Sequence, residues 1–136
     1  MEHRAEGIEL WAPEEFWALT PEQRADICNG CGPGGIGAIL VPDTLWGLRI
    51  TDACDIHDYM FTVGENYEDF LRANRVFLNN IVRIIQARTR TRVMKWLRYR
   101  RAYKYFEAVS LLGGPYYWKG KNPPEELKNV LIERRL

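Results

Sequence analysis

Cysteine is scarce in this chain: Cys28, Cys31 and Cys54 are the only three among 136 residues. Three thiols leave no room for a scaffold held by several disulfides, and they do not fix the redox compartment. Long apolar runs are missing, and no stretch approaches the roughly 18 residues of a membrane helix. The N-terminal MEHRAEGIELWAPEEF carries acids where a secretory leader has a basic and then an apolar region. The expectation is a chain without a visible export signal. A net charge of +1 excludes a uniformly basic or acidic protein. Internal repeats and convincing strand patterns are both missing, so the expected class is all-α. What is present suits one domain over residues 1–136 with one modest core: 46% apolar and 12% aromatic residues.

Residues 1–19 form an acidic arm with aromatic Trp11, Phe16 and Trp17, expected to dock or form a short helix. Thr20-Pro21-Glu22-Gln23 reads as a helix start, with a Thr cap, Pro in the first position and Gln three residues on. Five glycines between Cys28 and Gly37 end that helix, and residues 40–47 read as irregular chain turning at Pro42-Asp43. Thr51 opens a second helix that ends near Gly64. Asn66 caps a third over about 66–87, with an apolar stripe of Phe70, Ala73, Phe77, Leu78, Ile81, Ile84 and Ile85. Asn74 interrupts that stripe. A basic helix over about 92–112 follows, stopped by Gly113-Gly114-Pro115, and residues 113–136 form a loop and tail.

Chemistry concentrates in residues 28–61. Glycine-rich backbone turns its carbonyls and amides toward an ion or an oxyanion. Calcium takes oxygen ligands, commonly carbonyls and carboxylates, and Asp58 supplies charge on the following helix. His57, one residue away, points about 100° around that helix, so the two can border one cleft with separate jobs. An imidazole with an ordinary pKa of ~6.5 suits a general base near neutrality.

Two motifs in this stretch resemble those of the secreted phospholipases A₂. Gly30-Cys31-Gly32-Pro33-Gly34-Gly35 is similar to that family's X-C-G-X-G-G calcium loop. Cys54-Asp55-Ile56-His57-Asp58 is similar to the second half of its C-C-x-x-H-D helix signature. Together they span about a quarter of the chain, and the remainder looks more like the small bacterial or viral-type members. The resemblance implies a compact helical domain with two antiparallel core helices and a calcium loop. It implies Ca²⁺ held by the carbonyls of Gly30, Gly32 and Gly34 with the Asp58 carboxylate. It further implies that His57 activates water against the sn-2 ester of a phospholipid, while calcium and the Gly32 amide stabilise the oxyanion. A Cys31–Cys54 disulfide would tie loop to helix, and the family suggests a secreted protein. Three positions depart from the pattern: Ala53 replaces a Cys, Phe61 a Tyr, and Asn74 the aspartate that orients the histidine.

Two readings compete with the calcium-dependent esterase. A non-catalytic calcium- or lipid-binding module would result if the changes at Phe61 and Asn74 silence the site. Cys28-x-x-Cys31 with Cys54-x-x-His57 also has the spacing of a Cys₃His zinc site, though zinc leaves the later glycines and Asp58 unexplained. From Arg88 to Lys104 there are eight Lys or Arg residues and no acids. That basic aromatic segment suits a phospholipid surface, nucleic acid or a solvated helix face. Trp11, Trp17, Trp46 and Trp118 are candidates for an interfacial rim, with at least half expected in the core.

Overall fold

The computed structural model describes residues 2–5, 7–27, 42–118 and 121. Among them the chain is mainly helical, with two small antiparallel ladders. Strands β1 (Glu2–Ala5) and β2 (Ile8–Trp11) pair in register from Glu2↔Trp11 to Ala5↔Ile8, and Gly7 turns between them at φ +85. The short helix α1 (Glu14–Trp17) then buries Phe16. The short helix expected within 1–19 is present as α1, whereas the residues before it pair as a hairpin. Four-residue strands are too short for alternation to stand out.

Helix α2 (Pro21–Ile27) begins as a capping box. The Gln23 N–H donates to Thr20 Oγ1 at 3.1 Å, and the Thr20 N–H donates to Gln23 Oε1 at 3.0 Å. The glycine-rich residues 28–41 lie outside the described residues. The expected irregular chain before Thr51 is instead a second ladder, β3 (Thr44–Leu45) against β4 (Leu48–Arg49). Its turn is at Trp46-Gly47 rather than Pro42-Asp43, with φ +46 and +77. Positive φ at both central residues is the type I′ pattern that matches strand twist. Gly47 is a standard choice there and Trp46 is not, so this hairpin carries little signal in the sequence.

Three helices carry the core: α3 (Thr51–Val63), α4 (Tyr67–Arg88) and α5 (Arg92–Leu112). Asn66 Oδ1 accepts from the Asp69 N–H at 2.9 Å, so the expected cap on α4 is present. Thr91 does the same for α5 at the Met94 N–H. Helices α3 and α4 run antiparallel, since His57 meets Asn74 and Phe77 while Phe61 meets Phe70. Their facing stripes supply Ile56, Phe61, Phe70, Ala73, Phe77, Ile81 and Ile85 to the interior.

Polar groups fasten the smaller elements to this frame. Asn80, fully buried on α4, accepts from the Trp11 N–H at 2.9 Å and donates to the Trp11 carbonyl at 2.8 Å. One amide thereby satisfies both backbone groups at the end of β2. Arg24 of α2 bonds Asp52 at 2.9 Å and Asp55 at 3.2 Å on α3. The Tyr105 hydroxyl donates to the Thr44 carbonyl at 2.7 Å, and Arg98 to the Trp46 carbonyl at 2.8 Å, so the second hairpin hangs on α5.

Residues 114–118, expected in a loop, form the short helix α6 (Gly114–Trp118), with Tyr117 and Trp118 buried. Pro115 is tolerated because the first turn needs no N–H there. Of the four tryptophans proposed for a rim, Trp118 is buried and Trp11 and Trp17 pack partly on the core, while Trp46 remains 46% exposed. Of the tail expected over 113–136, residues 119–120 and 122–136 lie outside the described residues.

Candidate catalytic site on the paired helices

Helix α3 buries an unbroken run: from Ile56 to Phe61 every side chain is covered. His57 lies inside this run and is 4% exposed. Its Nε2 stands 2.8 Å from Oδ1 of Asn74 on α4. An amide oxygen only accepts, so the imidazole carries its proton on Nε2 and keeps the lone pair on Nδ1. The residue that interrupts the apolar stripe of α4 is thus the one that orients the histidine ring. It also satisfies the description of a buried amide bridging two helices, and both readings of Asn74 hold together. Its Nδ2 finds no partner among the described residues.

Aromatic rings press on the imidazole from its own helix and from α4. Phe61 stands 4.2 Å from its centroid and Phe77 4.6 Å. Stripped of water, the ring resists charging, and burial pushes the His57 pKa down to about 4, with the Asn74 bond opposing the shift. The imidazole is neutral at physiological pH, the state a base must have. An amide neighbour, unlike a carboxylate, does little to stabilise the imidazolium once it forms. Phe77 was expected only as core; its contact with the histidine follows from the antiparallel register, which spacing within a single helix does not encode.

Phe61, at the position where the resembled family has a Tyr, offers no hydroxyl. Tyr117 of α6 stacks edge-on to Phe61 at 5.2 Å, and its hydroxyl donates to the Asn66 carbonyl at 2.7 Å. Burial and the nearby Asp69 and Glu65 push that phenol up to about 12. It therefore serves as a fastener between α6 and the α3–α4 connection. Lys121 lies over the Tyr117 ring and donates to the Phe61 carbonyl.

Asp58 follows His57 and is 6% exposed. Asp55, one turn earlier, faces Arg24 instead; burial raises its pKa and the guanidinium partly restores the charge. Cys54 is completely buried and forms a disulfide whose other half lies outside the described residues. A half-cystine has no thiolate to give a metal, so the Cys₃His zinc set loses a ligand. Of the predicted site residues, His57 of α3 and Asn74 of α4 meet, and Asp58 follows His57 on α3. Gly30, Gly32, Gly34, Cys28 and Cys31 lie outside the described residues. Among the described residues no three His, Cys, Asp or Glu side chains converge to hold a metal. The calcium reading draws three of its four ligands from residues 30–34. No family model, curated protein or solved structure matches the chain.

Proposed function

We propose that the chain is a calcium-dependent phospholipase A₂-type hydrolase acting on the sn-2 ester of phospholipids. The observation that carries this reading is the buried, neutral imidazole of His57, held through Nε2 by Asn74 at 2.8 Å. It sits one residue from a buried carboxylate, after a glycine-rich segment that resembles the calcium loop of that family.

Asp58, with the carbonyls of Gly30, Gly32 and Gly34, would hold the ion. That donor set is all oxygen and suits a hard cation. When bound, calcium polarises the ester carbonyl and offsets the charge on its oxygen. The protein's own groups perform the remaining work. Nδ1 of His57 takes a proton from water as the water oxygen attacks the ester carbonyl. Asn74 holds the ring in the tautomer that leaves Nδ1 free of its proton. The Gly32 N–H donates to the oxyanion, a contribution worth roughly 3 kcal/mol in other enzymes. Collapse of the tetrahedral intermediate returns the proton from the imidazolium to the departing glycerol oxygen. A Cys31–Cys54 bond would fix the loop against α3.

Fatty-acid release from phospholipid vesicles, measured with calcium and with chelator, tests the reading. Release is expected only with calcium, abolished in His57→Gln and strongly reduced in Asp58→Asn. Undiminished release by His57→Gln overturns it.

A second reading, a calcium- or lipid-binding module with weakened or absent turnover, is favoured by one feature: a neutral amide supports His57. In a serine-protease triad the corresponding change from Asp to Asn lowers the rate about 10⁴-fold. Asn74→Asp separates the two. A gain in turnover marks a weakened enzyme, and silence with calcium binding intact marks the module.

A further inference from the structure

The apolar side chains of α5 do not all face the core. Ala102, Tyr105 and Val109 are buried. Val93, Leu97, Arg100, Lys104 and Leu111 lie within about 40° of a line on the opposite side of the helix. Along that line the cations Arg100 and Lys104 stand between apolar Val93 and Leu97 on one side and Leu111 on the other. Val93 is 71% exposed, and Trp96, at its edge, 57%. An amphipathic helix would place its aliphatic residues inward. Here several are presented outward together with guanidinium and ammonium groups.

The second hairpin adds a further aromatic ring to this face. Trp46 occupies the left-handed region at φ +46, a conformation bulky residues rarely adopt. Arg98 bonds its carbonyl, and the Arg101 guanidinium stacks on its indole at 5.0 Å. Trp46, Leu97, Arg100, Arg101 and Lys104 line a surface pocket of about 220 Å³. Arg100 also lies over Trp96 at 5.1 Å, and Lys104 has one acidic neighbour, Glu107, at 3.9 Å.

We propose that the outer face of α5, with Trp46, docks the protein onto an anionic phospholipid surface, the pocket beside Trp46 seating a lipid phosphate. Its use to the protein rests on the phospholipid-hydrolase reading, but the binding itself does not require catalysis. The composition selects the occupant. Cations with no acid between Arg88 and Lys104 attract a negative surface. Val93, Leu97 and Leu111 gain by entering the acyl boundary and gain little against sugar and phosphate. A second copy of the same face would bring like charges together. Among the described residues no helix is long and apolar enough to cross a membrane, so the contact is peripheral.

Co-sedimentation in chelator with vesicles of phosphatidylcholine, with and without phosphatidylglycerol, tests this independently of turnover. The chain is expected to bind the anionic vesicles and to bind pure phosphatidylcholine weakly. Losing a cation near such a surface costs about fivefold in partitioning, so Arg100→Gln with Lys104→Gln should lower it about thirtyfold. Trp46→Gly, which suits the positive φ, should bind several-fold less while melting no lower. Equal binding by the double variant, or equal binding to both vesicle types, overturns the proposal. So does tighter binding to a single-stranded oligonucleotide that vesicles do not displace, or a dimer that hides the face in sedimentation velocity. Hydrolysis of a soluble short-chain phospholipid with calcium reports the catalytic reading separately. Vesicle binding without such hydrolysis overturns that reading alone.

Discussion

His57 couples the candidate site to the stability of the molecule. In the unfolded chain its pKa is near 6.5, and in the fold burial lowers it to about 4. The unfolded state therefore binds the proton more tightly. The stabilisation is fully present above about pH 6.5 and is lost as pH falls toward 4. Integrated over that interval, the loss is about 3 kcal/mol, a large part of a small domain's stability. Urea unfolding at pH 7 and pH 4.5 should show this decline, and His57→Gln should flatten it by most of that amount. An unchanged slope in the variant would place the acid sensitivity elsewhere. Asn74 makes a similar point about legibility. Its sequence position, a polar residue in an apolar stripe, singles it out, but its partner is set by how α3 and α4 align. Phe77 gave no such signal, because an aromatic in a core stripe looks the same whether it meets a leucine or an imidazole.

The elements divide by how local their causes are. Helix starts at Thr20 and Asn66 are readable because caps and first-turn residues lie within four positions of one another. Helix α3, by contrast, starts at Thr51 with Asp52 in its first turn and no side-chain cap from Ile50. The two hairpins are not readable in that way. Their strands are two to four residues long, and the second turns on a tryptophan in a conformation that glycine or asparagine ordinarily supplies. Long-range fasteners were equally hidden, because Asn80 and Trp11 are 69 positions apart. That pair is the strongest test of how the first hairpin is held. Asn80→Ala leaves the Trp11 N–H and carbonyl without their partner and opens a gap beneath β2. It should destabilise the protein by roughly 2 kcal/mol in urea unfolding and accelerate amide exchange across residues 8–11 more than in α3 or α4. Uniform exchange would show that the hairpin depends on other contacts.

At the scale of the whole molecule, the paired helices α3 and α4 supply rigidity, and His57 and Asn74 of the candidate site come one from each. Helix α5 serves two surfaces: it packs on α4 and carries the second hairpin on one side while presenting cations and apolar side chains on the other. A chain near neutrality can thus hold a basic face, with Glu107 beside Lys104 and other acids placed elsewhere, as with Asp52 and Asp55 around Arg24. Calcium, on the proposed reading, joins residues 30–34 to Asp58 and should stabilise the fold through binding alone. A ligand at a hundred times its dissociation constant adds about 2.7 kcal/mol to a fold that binds it and an unfolded chain that does not. For a domain of this size that corresponds to a rise in Tm on the order of 8 °C. Thermal unfolding with calcium, with magnesium and with chelator should show the rise for calcium alone. Asp58→Asn should remove it, whereas His57→Gln, which changes the base and not a ligand, should keep it. A rise that survives Asp58→Asn would move the ion away from this helix and take the oxyanion argument with it.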